Sequence, residues 1–151
     1  FDQKINFEKI KLNIENNKVE KLFKNSNNIK FVLDAMFGST NEIYGTSFKS
    51  RHKNIKYQFA GKTGTSQVRR ITERDRELDL DQSQIEYKNR DHALYIAFAP
   101  YNNPRYSISV LVEHGGSGSK AAAPLASKLI KKIIDRHYDR EKTRKENTNL
   151  A

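Results

Sequence analysis

Apolar positions along this chain form a helical repeat near the start, two β-type runs in the middle and a second helical repeat near the end. Helical spacing over residues 29–37, with Gly38 placed to cap the C-terminus, predicts a first helix. The runs HALYIAFAP (92–100) and YSISVLVE (106–113) flank a turn-forming YNNPR segment and predict an antiparallel hairpin. The first run is apolar at consecutive positions, as in a central strand covered on both faces.

A second helix is predicted over residues 121–138, where one wide apolar stripe is surrounded by lysines. The stripe comprises Leu125, Ala126, Leu129, Ile130, Ile133 and Ile134. Residues 139–151 are charged and polar, and we expect a disordered tail there. With a further strand over residues 56–68, the order helix, strand, strand, strand, helix predicts an α+β fold with helices packed on an antiparallel sheet.

Two polar stretches interrupt these elements. Residues 1–28 are rich in Asn, Lys and Glu, and we expect an extended or irregular segment there. Residues 69–90 carry six basic and six acidic residues and predict a long loop, of a length that often serves function.

The net charge of +10 raises the question of a nucleic-acid partner. Basic residues are scattered among acidic ones, and no basic stripe with interleaved aromatic residues emerges. The charge therefore indicates a solvated surface, and we expect no nucleic acid to bind. The chain contains no cysteine, which excludes disulfides and thiolate metal sites. It begins with Phe1 rather than Met, so we expect a fragment of a longer protein.

The candidate chemistry lies in the strand predicted over residues 56–68. Side chains alternate along a strand, so Lys62 and Ser66 share one face while Thr63 and Thr65 share the other. If the N–H groups of this strand are free, an extended peptide could pair with them. A lysine and a threonine hydroxyl would then meet the peptide's terminal carboxylate.

Glycine completes this pattern. Gly64 removes a Cβ atom where a ligand or another backbone must come close. The backbone N–H that follows it could stabilise an oxyanion. The pattern predicts an acyl-transfer site that recognises a peptide C-terminus, although Lys-Thr-Gly alone also fits an ordinary polar edge strand.

The surrounding segments extend the pattern. MFGSTNEIYGTSF, AGKTGTSQV, RDHALYIAFAPYNNPRYSISVLVEHGG and an Ala-rich helix follow one another, and together they resemble the penicillin-binding proteins. Within that family they resemble the class B transpeptidases that serve cell elongation. The resemblance covers about residues 29–136. It implies that residues 1–138 form the C-terminal part of the penicillin-binding protein/β-lactamase-like transpeptidase fold.

The family's active site combines S-x-x-K, S-x-N and K-T-G elements. The resemblance implies that Lys62 organises the S-x-N serine and supplies positive charge, and that Thr63 binds the substrate carboxylate. It implies that Gly64 allows close approach and that the N–H of Thr65 forms half of the oxyanion hole. Lys62 and Thr65 would thus be catalytic, and Thr63, Gly64 and Thr65 substrate-binding. The family's chemistry needs no metal and no organic cofactor.

The nucleophilic serine is not identifiable in this chain. S-x-x-K strings occur from Ser50 to Lys53 and from Ser117 to Lys120, but neither begins a buried helix ahead of the K-T-G element. Ser26-Asn27-Asn28 resembles S-x-N but stands too close to K-T-G. His92 and His114 are interpreted as strand-end residues. We therefore expect this chain to be inactive alone.

Membership of the family would imply a periplasmic protein anchored to the bacterial inner membrane. Its partners would be stem peptides ending in D-Ala-D-Ala, β-lactam antibiotics, a glycan polymerase and other elongation-complex proteins. A serine β-lactamase, a D,D-carboxypeptidase and a non-catalytic module of the same fold remain alternatives. The reading frame upstream of Phe1 would distinguish them.

Overall fold

The computed structural model describes residues 25–70 and 82–148. Two compact units divide the chain, Phe1–Phe31 and Val32–Ala151. In the first unit only residues 25–31 are described, and they contain the start of a helix. Most of the irregular segment expected over residues 1–28, and half of the loop expected over residues 69–90, lie outside the described residues.

Helix α1 spans Ser26–Asn41, so it is longer than predicted and runs through Gly38. The predicted cap at Gly38 is therefore wrong. The helix ends instead at Asn41, whose side-chain amide donates to the carbonyl oxygens of Phe37 (3.1 Å) and Phe59 (2.9 Å). This side chain satisfies a carbonyl of the last turn and ties the helix end to the segment that enters the sheet.

Three antiparallel strands form one sheet in the order β1-β2-β3. They span Ala60–Ser66, His92–Ala99 and Tyr106–Val112. The predicted hairpin, the central position of its first strand and the α+β class are confirmed. The strand predicted over residues 56–68 is shorter than expected, because Ile55–Tyr57 forms a short 3-10 turn.

Only one face of β2 is fully covered by the described part of the chain. Its odd-numbered residues are buried, namely Ala93, Tyr95, Ala97 and Ala99. On the opposite face Ile96 is 52% exposed, and Leu111 of β3 is 56% exposed. Coverage on both faces, which the apolar pattern of β2 predicted, is not provided by residues 25–70 and 82–148.

A π-helical turn, Gly118–Ala122, leads into helix α2, Ala123–Thr148. The residues of α2 that enter the core are Ala123, Ala126, Ile130 and Ile134. Leu125 and Leu129 are each 45% exposed, so the predicted apolar stripe was too wide.

Helix α2 continues past Tyr138 to Thr148, where composition had suggested a disordered tail. Lys, Arg and Glu are good helix formers, and i,i+4 contacts join His137 to Glu141 (3.0 Å) and Lys142 to Glu146 (3.9 Å). The charge pattern that suggested disorder therefore supports a solvated helix. In the described part of the chain, no helix has the length and apolarity required to cross a membrane.

Candidate functional site

Strand β1 lies at the edge of the described sheet, and its outer side is partly open. The N–H of Gly61 donates to the Thr40 hydroxyl (3.0 Å), and the Gly61 carbonyl oxygen lies 3.3 Å from the same hydroxyl. Both groups of Gly61 therefore point away from β2. Because these directions alternate along an antiparallel strand, the N–H groups of Thr63 and Thr65 also point outward.

Lys62 and Thr63 form a small polar cluster at this edge. The ammonium of Lys62 donates to the Thr63 carbonyl oxygen (2.9 Å) and lies 3.4 Å from the Thr63 hydroxyl. The Thr63 hydroxyl is also 3.3 Å from that of Thr46, which is 3.2 Å from that of Ser39. Lys62 is exposed and carries no carboxylate partner among the described residues, so its charge is available to a ligand.

The predicted alternation of side chains along β1 is confirmed by the register. Pairing with β2 runs without a bulge, with Lys62 opposite Ile96 and Thr63 opposite Tyr95. Thr63 and Thr65 therefore lie on the sheet face that carries the buried Tyr95, and Lys62 lies on the other face. The long Lys62 side chain nevertheless reaches the outer edge.

An open cleft of about 390 Å³ borders Lys62. Helix α1 and the turn after it provide its other wall, with Asp34, Ser39, Glu42, Tyr44 and Thr46 among the lining residues. The segment MFGSTNEIYGTSF supported the family resemblance, but none of its side chains was predicted to line the site. Ser39, Glu42 and Thr46 follow the predicted helix by two to nine residues, and their hydroxyl and carboxylate groups resembled ordinary turn chemistry.

The π-helical turn packs directly against the backbone of β1 at Gly64. A Cβ on Gly118 would lie 2.7 Å from the Gly64 carbonyl oxygen and 2.6 Å from that of Leu94. The π-helical turn is thus pressed against the backbone of β1 and β2. A Cβ on Gly64 would be 3.3 Å from the Cβ of Leu94, which is a tight contact with a side chain only.

The two S-x-x-K strings lie in different surroundings. Ser50 is buried at the end of a 3-10 turn, Phe48–Ser50, and extended backbone follows it at Arg51. Ser117 precedes the π-helical turn, and its hydroxyl lies 3.0 Å from that of Ser119. Ser26 begins helix α1. None of the three occupies the start of a buried α-helix with a lysine one turn later.

His92 and His114 contact each other where β2 begins and β3 has ended. The N–H of His114 donates to Nδ1 of His92 (3.0 Å), and the two rings lie 4.8 Å apart. Nδ1 of His114 is 3.0 Å from the carbonyl oxygen of Arg90. Within residues 25–70 and 82–148, no three His, Asp or Glu side chains are arranged to hold a metal ion.

The antiparallel α+β sheet and the Lys-Thr-Gly element on its edge strand are consistent with the penicillin-binding protein/β-lactamase-like fold. The family described as "Penicillin binding protein transpeptidase domain" matches residues 4–131. This chain belongs to that family.

Within this family, the proteins that the chain resembles are penicillin-binding protein 2 relatives that serve cell elongation, and this prediction from the sequence is confirmed. The peptidoglycan D,D-transpeptidase MrdA of Salmonella typhimurium is 38% identical over 108 residues, which cover 72% of this chain and 17% of the relative. MrdA of Escherichia coli is 34% identical over 102 residues, covering 68% of this chain and 15% of the relative.

Solved structures give the same result. Penicillin-binding protein 2 of Helicobacter pylori, in a complex with MreC, superposes with a TM-score of 0.61 at 33% identity, covering 76% of this chain and 19% of that chain. Penicillin-binding protein 2 of Pseudomonas aeruginosa, in complex with WCK 5153, gives a TM-score of 0.53 at 32% identity, covering 72% and 19%. The transpeptidase fold is confirmed, and the chain spans less than a fifth of the length of these proteins.

Proposed function

We propose that this chain is the part of a peptidoglycan D,D-transpeptidase that carries the Lys-Thr-Gly element, and that the complete protein cross-links stem peptides during cell elongation. The observation that supports this most directly is the outer edge of β1. There the N–H groups of Thr63 and Thr65 point away from β2, beside a lysine with no carboxylate partner in the described chain. Such an edge suits an extended peptide that ends in a carboxylate.

In the proposed reaction, a serine supplied from outside this chain attacks the carbonyl of the penultimate D-Ala of a donor stem peptide. The C–N bond to the terminal D-Ala breaks, that residue leaves with a proton on its amine, and an ester to the serine remains. An amine of a second stem peptide then attacks the ester, which releases the serine and forms the cross-link. β-Lactam antibiotics acylate the same serine.

Residues of β1 act on the charges of this reaction. The N–H of Thr65 donates to the oxyanion that forms as the serine attacks, and stabilisation of this kind is often the largest contribution to catalysis. The Thr63 hydroxyl and the Lys62 ammonium bind the carboxylate of the terminal D-Ala. Lys62 also orients the serine of the S-x-N element. Gly64 keeps the strand free of a side chain where the substrate passes.

The same proposal extends to location and partners. The complete protein would be periplasmic, anchored to the inner membrane and active beside a glycan polymerase. The complex of the Helicobacter pylori relative with MreC supports a protein partner in the elongation machinery.

The test is substitution of Lys62 in the complete protein. Lys62→Ala should lower the rate of acylation by a fluorescent penicillin by about 10²-fold or more, in line with the loss of one electrostatic stabiliser. Lys132→Ala, which removes an equally exposed lysine from α2, should leave the rate unchanged. This chain without the rest of the protein should take no label. Wild-type acylation by the Lys62→Ala protein would contradict the assignment.

A further inference from the structure

Three hydroxyl side chains are buried together beneath the start of β1. Thr40 and Tyr95 are fully buried, and Ser47 is 1% exposed. The Tyr95 hydroxyl lies 2.9 Å from that of Thr40 and 3.0 Å from that of Ser47. They come from α1, from the turn after it and from the central strand, so the cluster joins three separate parts of the fold.

Each hydroxyl in this cluster can be assigned as a donor to one neighbour and an acceptor from another. Ser47 donates its only proton to the Ser39 carbonyl oxygen (3.0 Å), so it accepts from Tyr95. Tyr95 has then used its proton and accepts from Thr40. Thr40 in turn accepts from the N–H of Gly61 (3.0 Å). The chain of hydrogen bonds begins on a backbone amide of β1 and ends on a backbone carbonyl, with each proton used once.

Burial raises the pKa of the Tyr95 phenol above its ordinary value, so the proton that this chain requires is retained. Because the bonds are buried and share polarisation, each member depends on its neighbours. Gly61 cannot be replaced by a residue with a side chain, because its Cβ atom would clash with the Tyr95 hydroxyl oxygen. The strand is therefore held against the cluster by direct backbone contact.

We propose that Thr40, Tyr95 and Ser47 are positioning residues for the Lys-Thr-Gly element. By fixing the N–H of Gly61 toward α1, they fix the outward direction of the N–H groups of Thr63 and Thr65. The Thr46 hydroxyl adds a second attachment at Thr63, 3.3 Å away. The effect on catalysis rests on the proposed function, whereas the effect on β1 does not.

The experiment uses the complete protein with Thr40→Val, which keeps the shape of the side chain and removes the hydroxyl. Thr40→Ser restores the hydroxyl and serves as the rescue, and Tyr95→Phe breaks the chain at its centre. Tyr106→Phe is the matched control, because its hydroxyl also makes a side-chain hydrogen bond (2.7 Å, to His137) but lies on β3. Amide hydrogen exchange and fluorescent-penicillin kinetics are measured on every variant.

Thr40→Val and Tyr95→Phe should raise amide exchange at Gly61, Lys62 and Gly64 while β3 stays protected. They should lower the acylation rate constant by about tenfold or more, since small misplacements of a catalytic group are costly, and change penicillin affinity less. Thr40→Ser and Tyr106→Phe should behave like wild type in β1.

Unchanged exchange in β1 after Thr40→Val would overturn the proposal, whatever the kinetics. Raised exchange with wild-type acylation would overturn the positioning role in catalysis. If the wild-type protein itself takes no penicillin while exchange in β1 rises, the proposed function fails and the structural attachment of β1 stands.

Discussion

Gly118 lies in the π-helical turn, directly against the backbone of β1 and β2 at Gly64 and Leu94. A substitution at Gly118 therefore tests how tightly the turn packs against the candidate site. In Gly118→Ala the new Cβ would lie 2.6 Å from the carbonyl oxygen of Leu94 and 2.7 Å from that of Gly64. Both are backbone atoms of paired strands, so neither can move without disturbing the pairing of Gly64 with Leu94. Gly118 has no left-handed φ, so the obstacle to alanine is steric alone.

Two effects of opposite sign determine how much Gly118→Ala changes the free energy of unfolding. Overpacking of a tight contact costs about 1–3 kcal/mol. Replacing glycine by alanine stabilises by ~0.4–1 kcal/mol, because the unfolded chain loses freedom. The steric cost is the larger, so Gly118→Ala should lower the free energy of unfolding by about 1–2 kcal/mol.

Gly64→Ala is the matched comparison. Its Cβ would meet only the Cβ of Leu94 at 3.3 Å, which a shift of a side chain can relieve. We expect its free energy of unfolding to stay within about 1 kcal/mol of wild type, while penicillin acylation falls because the substituted position lies on the site. Thermal unfolding and acylation of the complete protein measure both. A Gly118→Ala protein as stable as wild type, or more stable, would refute the steric argument.

Two further predictions concern the helix and the sheet. Hydrogen bonds from Tyr57, Lys131 and Lys56 hold the pKa of the Asp135 carboxyl below its ordinary 3.8, so the stabilisation from Asp135 is complete above that pH and is lost below it. Asp135→Asn should therefore be less stable than wild type at pH 7, and urea titrations should show the gap shrinking as pH falls below 4; a constant gap would contradict the reasoning. In the described sheet β3 is an edge strand, and Ile96 and Leu111 are 52% and 56% exposed, so this chain in isolation should self-associate. Sedimentation and thermal unfolding over a range of concentrations measure this. A monomer whose thermal unfolding is independent of concentration would contradict it.

The sheet was predictable because its signals are local. Apolar runs that contain aromatic and β-branched residues on both sides of YNNPR predict a hairpin whichever element packs on it. The buried face of α2 was less accessible to sequence reasoning. Leu125 and Leu129 are more hydrophobic than Ala126, yet Ala126 is buried and the two leucines are each 45% exposed, so hydrophobicity alone does not identify the buried face within the wide apolar stripe.

For the candidate site too, residues in a sequence motif were predicted and residues joined by contacts distant in sequence were not. Lys62, Thr63 and Gly64 were predicted as site residues because the motif and its neighbours resemble a known family. Thr40 and Tyr95 were not predicted to have a role, since Thr40 sits in a turn-like segment and Tyr95 in an apolar run that predicts only core packing. Their contact spans 55 residues of sequence, so no local pattern could indicate it.

The attachment at Gly61 also bears on what the edge of β1 could accept. An open strand edge pairs with any extended chain, which makes it a hazard as well as a binding surface. Here the N–H of Gly61 is already bonded to the Thr40 hydroxyl, which also lies 3.3 Å from the Gly61 carbonyl oxygen, so the open part of the edge begins at Thr63 and ends with the strand at Ser66. On the proposed function, this leaves room for only a short segment of peptide, held at Thr63 and Thr65. Because the bond between Gly61 and Thr40 closes one end of this edge, β1 would recognise the last residues of a peptide rather than pair with a longer strand.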